Sequence, residues 1–440
     1  MRISFIHIAD QVQYDPMTAS LAGLLKERMW MCWHVFTDFS TTKEGFVAQV
    51  RSHEPLAVAF RVSKETREIV GFLARAVAEQ PEKIPVFFYG PLCQTHPDEV
   101  VGLADPAVVL LGEPEVGFDN LLKVWKPGQL PPMPPPTGVW ISYAGQIAKG
   151  ADPAPADLDL IPKPDLTVFG GDRVFRRGVG AGFFGELKVL PFLTGYGTPS
   201  GMPANANLHN FSYATQFPPR LLDLDTIVFR LRALGPRVDH IELWDREFGW
   251  NMDLAKELLP TLHRRQRKKT YSIRVLPETF DAAVLDLHDP ERTLRVVAEY
   301  DAATVKHHQR LGWTQHPEKT ARVVEETRKR GIEPALLISV GLPEETAADI
   351  EAKLDFVRQN GVTRVRFFPF EPAYGHPVWK ACNDAGMLSG RGDAWNREII
   401  RPLSQPSLDI EEWHVVWQKC LNLETELQAA YAADFEPAGI

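Results

Sequence analysis

The chain has 440 residues, 44% apolar and 24% charged, with 48 Lys and Arg against 57 Asp and Glu, a formal net charge of -9. This is enough apolar material for a substantial core in two or three domains, and the acidic balance argues against nucleic-acid binding and against a polybasic membrane patch. Four scattered cysteines (Cys32, Cys93, Cys382, Cys420) without a CxxC pair argue against a disulfide framework or a cysteine-only zinc site, and no stretch of 18 apolar residues offers a membrane span. The first residues, MRISFI, enter a strand pattern at once instead of a signal peptide, so a soluble, cytoplasmic protein is expected.

Strand and helix patterns alternate through the first 125 residues. Residues 3–8 read as a strand and 17–30 as a helix with Leu21, Leu24, Leu25 and Met29 at helical spacing. Residues 56–62 read as a strand, and 65–80 as a helix whose Ile69, Phe72, Leu73, Ala76 and Val77 form one face. Strands at 85–89 and 107–111 and a helix at 118–125 complete the pattern. Such alternation predicts a Rossmann-like parallel sheet over 1–125, with a ligand crevice at the carboxyl ends of its strands.

Two proline-rich stretches follow, KPGQLPPMPPPT at 126–137 and ADPAPADLDLIPKP at 151–164, inside a linker and small hairpin spanning 126–186. From 187 the alternation resumes. Strands are predicted at 188–194, 240–244, 270–276, 335–340 and 364–370, with helices at 225–233, 252–265, 318–330 and 345–360. The expectation is a partial or complete TIM-type βα barrel over 187–380, with its site at the C-terminal strand ends. The last region, 381–440, ends in an amphipathic helix at 408–433 with Trp413, Val416, Cys420, Leu423 and Leu427 on one face, packed on the barrel or on a partner protein.

Several segments carry a family resemblance. Tyr89-Gly90-Pro91, Pro97-Asp98-Glu99 and Gly112-Glu113-Pro114-Glu115 fall in a strand, turn, helix and strand sequence; Leu158-Asp159 through Pro164-Asp165 form a bridge after a hairpin. Asp245-Arg246-Glu247-Phe248 follows the second barrel strand, Gly341-Leu342-Pro343 and Glu345-Thr346 follow a later one, and Pro372, Gly375 and Pro377 follow the last. In this order they resemble the cobalamin-dependent radical S-adenosylmethionine enzymes over nearly the whole chain. The departure is as informative. Where that family places Gly-Cys-Pro-x-x-Cys-x-x-Cys, this chain has Gly197, Thr198, Pro199, Met202 and Asn205. A hydroxyl, a thioether and an amide are poor substitutes for three thiolates, so an iron–sulfur cluster is expected to be absent.

The resemblance implies cobalamin at the strand ends of the first domain, held at Phe60, Arg61, Val62 and Ser63, at Tyr89, Gly90 and Pro91, and at Gly112 and Glu113. The Asp-x-His-x-x-Gly signature of histidine-ligated cobalamin domains is missing, since His7 is followed by Ile8-Ala9-Asp10 and His96 by Pro97-Asp98. Arg61 is placed near the lower cobalt face, or else in a salt bridge with Glu65. In the barrel, Asp245 or Glu247 is the candidate for holding the ammonium of S-adenosylmethionine, Gly341 for close backbone approach, and Phe368 or Phe370 for stacking on adenine. The alternatives are barrel core for the phenylalanines and capping for the carboxylates. His209 and His376 are candidate acid/base groups or cobalt ligands, or structural histidines; with Asp245 and Glu247 they make the candidate catalytic set. His307 and His308, adjacent on a helix, point apart and make a poor chelate. The functional expectation is a cobalamin-binding methyl or alkyl transferase acting on a small molecule at the barrel mouth without radical chemistry. The alternative is a non-catalytic cobalamin carrier, sensor or accessory subunit.

Overall fold

The computed structural model describes residues 2–8, 14–37, 40–63, 66–126, 128–175, 187–197, 199, 217–234, 237–265, 268–289, 291–301, 316–372, 376–388 and 403–434. The chain divides into two compact units, one built from Met1–Gly180, Gly195–Gly197 and Phe211–Arg237, the other from Ala181–Thr194, Thr198–Asn210 and Val238–Ile440. No described helix is long and apolar enough to cross a membrane.

The first unit is a doubly wound sheet. Its strands are β1 (Arg2–Ile8), β2 (Met31–Thr37), β3 (Ala57–Arg61), β4 (Val86–Tyr89), β5 (Ala107–Leu110), β6 (Val139–Tyr143) and β7 (Gln146–Lys149), in the order β2-β1-β3-β4-β5-β6-β7. The first five run parallel, and β6 and β7 add an antiparallel hairpin at one edge. Helices α1 (Pro16–Glu27), α2 (Lys43–Ser52), α3 (Arg67–Ala78), α4 (Pro91–Thr95), α5 (Pro97–Val101) and α6 (Pro114–Val124) connect them. Helix α1 starts where it does because Asp15 accepts the Thr18 amide at 2.9 Å and Pro16 occupies the first turn. Strand β2 and helix α2 escape the sequence pattern. The former is an edge strand with exposed Met31 and Trp33, and the latter buries only Phe46, Val47 and Val50. Because β1 lies between β2 and β3, the winding direction reverses there, at the carboxyl ends of β1 and β3, where sheets of this kind ordinarily bind ligands. Two short strands, β9 (Gly195–Tyr196) and β10 (Arg220–Leu221), and helix α7 (Leu224–Leu234) also belong to this unit.

The second unit is a six-stranded, all-parallel half-barrel of β8 (Val189–Phe192), β11 (His240–Leu243), β12 (Thr270–Val275), β13 (Thr293–Tyr300), β14 (Glu333–Val340) and β15 (Arg364–Pro369). Of the two expectations for this region, the partial barrel is the one realised. Helices α8 (Met252–Arg265), α9 (Pro317–Lys329), α10 (Ala347–Gln359), α11 (Pro377–Asp384) and α12 (Ile410–Asp434) accompany the strands. One sheet face is apolar and lies under helices: Tyr271 donates to the Leu262 carbonyl of α8, and Tyr300 stacks against Phe356 of α10 with centroids 4.6 Å apart. The other face is lined by His240, Glu242, Ser272, Arg274, Arg295, Glu299, Glu333, Ser339, Arg364 and Arg366, which the parallel register places on the same side. A strand buried on both sides ordinarily reads as a continuous apolar run. Strand β13 does not, which is why the sequence pattern does not place it.

Candidate functional site

In the first unit the carboxyl ends of β1, β3 and β4 are tied into one frame. The Val62 amide donates to the Tyr89 carbonyl at 2.7 Å, and the Leu92 amide donates to the Val62 carbonyl at 3.1 Å. Gly90 sits at φ +115°, where a Cβ would lie 2.9 Å from the Val62 carbonyl oxygen, so the close approach of these loops requires glycine. The Tyr89 and Thr18 hydroxyls share a 2.6 Å hydrogen bond, and Asp15 accepts from both the hydroxyl and the amide of Thr18. Asp15 Oδ1 lies 3.5 Å from Arg61 Nε. Asp15 is therefore the acid described beside Arg61; Glu65 lies outside the described residues.

Phe60, Val62 and Tyr89 are fully buried, and Phe60 packs between Phe46 and Phe88. These three belong to the packed core beneath the strand ends, whereas the Arg61 side chain keeps 23% of its exposure and Ser63 and Pro91 are half-buried. Gly112 and Glu113 do different work. Glu113, fully buried, accepts the Ala156 amide at 2.6 Å and pairs with Arg220, which also donates to the Ala156 carbonyl at 2.5 Å. Gly112 packs against Pro153. Both clamp the proline-rich segment to β5. His7 stacks on Phe36, and burial holds its pKa down near 4, so the ring is neutral at ordinary pH.

In the second unit, Asp245 accepts the Thr194 amide at 3.0 Å and its hydroxyl at 2.9 Å, joining the ends of β8 and β11. Glu247 is buried and accepts the Thr279 hydroxyl at 2.9 Å. His376 caps α11, its Nδ1 accepting the Val378 amide at 3.2 Å, which leaves the ring proton on Nε2. Burial, with the nearby Arg246 charge, lowers its pKa. Gly341, at φ +81°, is closely approached by the chain's own Trp413, whose ring would lie 2.8 Å from an added Cβ. Phe368 is half-buried with the Arg366 guanidinium 5.7 Å from its ring centroid, and Phe370 is buried with Leu342, Val378 and Leu403.

The structure gathers a second set that the sequence reading missed. Arg246 Nε contacts both Glu299 oxygens at 3.1 and 2.9 Å and Nη2 contacts one at 2.8 Å, a buried forked pair. Asp301 accepts the Ser339 hydroxyl at 2.5 Å, and burial, reinforced by Glu299, raises its pKa to about 6. Lys353 and Glu345 are fully buried and paired at 2.5 Å. A signal was available: Arg295, Glu299 and Asp301 recur at alternate positions along an apolar strand, marking a polar inner face. His209, His307, His308, Thr198, Met202 and Asn205 lie outside the described residues.

Deeper on the same face, His240 is clasped by the Thr270 and Ser272 hydroxyls, each at 2.9 Å, and burial lowers its pKa to about 3. The native ring stays neutral while the unfolded ring takes a proton below about pH 6.5. The contribution of His240 to stability is therefore complete above that pH and falls by about 1.4 kcal/mol per pH unit towards pH 3. Between pH 7 and pH 5, urea unfolding is expected to show the parent protein losing about 2 kcal/mol more stability than His240→Asn does.

No protein-family model matches the chain, and no curated protein sequence matches it. Solved structures do. The radical S-adenosylmethionine methyltransferase TsrM from Kitasatospora setae, with tryptophan substrate and an S-adenosylmethionine analogue bound, aligns at TM-score 0.63 and 14% identity over 99% of this chain and 89% of that one. The fold is that of a cobalamin-dependent radical S-adenosylmethionine enzyme. A second TsrM structure, with cobalamin and a [4Fe-4S] cluster bound, aligns at TM-score 0.62 and 15% identity over 99% of this chain and 91% of that one. OxsB, a cobalamin-dependent S-adenosylmethionine radical enzyme with aqua-cobalamin and S-adenosylmethionine bound, aligns at TM-score 0.58 and 13% identity over 97% of this chain and 61% of that one. This radical-enzyme fold accounts for the pairing of a doubly wound sheet with a parallel half-barrel in one chain.

Proposed function

We propose that this protein binds cobalamin in the crevice of its first unit and transfers a methyl group to a small molecule held by its half-barrel, without an iron–sulfur cluster. The observation that carries the reading is the strand-end frame of Arg61, Asp15, Thr18 and Tyr89 at the winding reversal, in a fold that TsrM and OxsB use with cobalamin. The partly exposed Arg61 cation, and the backbone brought close by Gly90, suit the amide-edged disc of a corrin. When bound, cobalamin supplies a cobalt centre able to receive and pass on a methyl group by displacement. The chain's own residues set the crevice, hold the substrate and exclude water around both.

The cysteines do not fit an iron–sulfur cluster. Cluster ligation needs thiolates, but Cys93 and Cys420 are buried and their thiols are pushed well above the ordinary range, while burial raises Cys32 to about 12. No cysteine lies between Cys93 and Cys382, the stretch in which the family resemblance places the cluster motif. Polar residues of the half-barrel are compatible with S-adenosylmethionine as a methyl donor, with Glu247 for its ammonium and Phe368 for its adenine. His209 and His376 stay proposed acid/base groups, and Asp245 a positioning residue at the strand ends.

In the carrier or accessory-subunit reading, the C-terminal helix would serve as the interface to a partner. That helix instead buries Trp413, Val416, Trp417, Cys420 and Leu423, and packs on β15 and α10. The enzyme reading is the one the similar structures support, since TsrM is a methyltransferase. Anaerobic purification with cobalamin supplied, followed by metal analysis, tests it. About one cobalt per chain with negligible iron is expected, and iron near the roughly four atoms of a cubane overturns it.

A further inference from the structure

Helix α1 begins beside Asp15 and Arg61 and ends at a separate groove. The last turn of α1, the segment 163–171 and the end of α7 enclose about 540 Å³, a size within the roughly 300–1,000 Å³ of small-molecule sites. Every residue lining the groove belongs to the first unit. Lys26, which lines it, stands about 16 Å along the helix axis from Asp15, well away from the strand ends. One wall depends on a glycine. A Cβ added at Gly23 would overlap the Lys163 carbonyl oxygen, so this residue, otherwise unfavourable in mid-helix, lets the chain at 162–164 lie directly on α1.

The lining has two characters. Leu166 and Leu234 are buried and Pro164 and Ala233 half-buried, an aliphatic surface with no aromatic ring among the described lining residues. Lys26, Lys163 and Arg237 are exposed cations, opposed by the carboxylates of Glu27 and Asp165. Asp165 is already committed: it accepts the Thr167 amide at 3.2 Å and hydroxyl at 2.6 Å, and pairs with Lys26 at 3.1 Å. The carbonyl ends of α1 and α7 favour cations at Lys26 and Arg237, but Lys163 is on neither helix. Its Nζ stands 5.7 Å from the ring centroid of the exposed Phe229, and no described carboxylate pairs with it. A cation held over an aliphatic groove without an acid of its own suits a ligand that brings the anion.

We propose that this groove binds an amphiphilic organic anion, its aliphatic body against Leu166, Leu234, Pro164 and Ala233 and its phosphate or carboxylate head on Lys163 and Lys26. An aromatic body would find no ring to stack on, and a bare inorganic anion would leave the apolar floor in water. An amphiphilic cation would meet three basic groups. Alkyl phosphates and fatty carboxylates share the required chemistry and differ only in the head. The site lies outside both the cobalamin-binding strand ends and the half-barrel, so it stands or falls apart from the methyl-transfer reading.

The test is calorimetric titration of the full-length protein with octyl phosphate, octanoate, octanol, octyltrimethylammonium and inorganic phosphate. At least one of the two anionic amphiphiles is expected to bind, and the tighter of them identifies the head. Octanol, octyltrimethylammonium and inorganic phosphate are each expected to bind at least about 10-fold more weakly. Lys163→Glu, at an exposed position, is expected to fold normally and to weaken the anionic probe by about 10-fold or more. Ala233→Trp fills the groove and is expected to abolish binding, with folding checked by circular dichroism. If that variant fails to fold, Lys163→Glu decides. The assignment is overturned if neither anionic amphiphile binds, if octanol or inorganic phosphate binds as tightly, or if Lys163→Glu binds unchanged. A hexaglutamate peptide binding more tightly than either amphiphile also overturns it, since the groove would then suit an acidic protein segment.

Discussion

Replacing Lys353 with methionine is expected to lower the stability of the second unit by about 3–5 kcal/mol, the usual consequence of removing one partner of a buried ion pair. Lys353 Nζ donates to the Asp301 and Ser339 carbonyls, each at 2.6 Å, and pairs with Glu345 at 2.5 Å, with both side chains fully buried. Methionine matches the length of the chain but leaves the two carbonyls without a donor and Glu345 without a counter-charge. Glu345 still accepts the Gly341 and Leu342 amides at 2.5 and 3.0 Å, which limits the damage. Glu345→Gln keeps an acceptor for those amides, so Lys353→Met with Glu345→Gln should recover part of the loss. Urea unfolding of the two single variants and the double variant measures the coupling. Additive losses would show that the two side chains act independently.

The second large effect is one of pH. Asp301 has its pKa raised from 3.8 to about 6, first by burial and then by the Glu299 charge. The unfolded chain ionises near pH 4 while the native carboxyl keeps its proton to about pH 6. Between those values the native state is progressively disfavoured as pH rises, by about 3 kcal/mol in all. This runs opposite to the effect of His240 and of the other buried neutral histidines, His7 and His288, and offsets part of their combined slope between pH 4 and pH 6. Asp301→Asn removes the carboxyl and unmasks the histidine slope. Its stability should climb steadily with pH across that window, and a profile unchanged from the parent would contradict the protonated state of Asp301.

The composition and the two blocks of βα alternation determined the architecture: a parallel doubly wound sheet, then a parallel barrel-like sheet, then a long amphipathic helix. Those features follow from periodicity, because apolar residues recurring at helix and strand spacing have few ways to be buried. Local chemistry was legible too, as in the Gly90 turn. The sequence pattern failed at β2, α2 and β13, where burial is decided by neighbours. An edge strand exposes what a central one buries, and an inner barrel strand carries charges because other strands supply their counter-ions.

The sites divide the same way. Sequence placed Arg61, Tyr89 and Gly90 at one strand-end crevice, and His376 and Glu247 in loops after barrel strands. Tertiary structure alone decided that Asp15 faces Arg61, that Gly341 makes room for Trp413, and that Arg246 meets Glu299 across 53 residues of chain. It also decided that Glu242 and Arg274 stand opposite one another without a hydrogen bond. Charge complementarity between distant residues leaves no periodic trace, because a carboxylate is specified by the cation that folding brings to it and not by its neighbours in sequence.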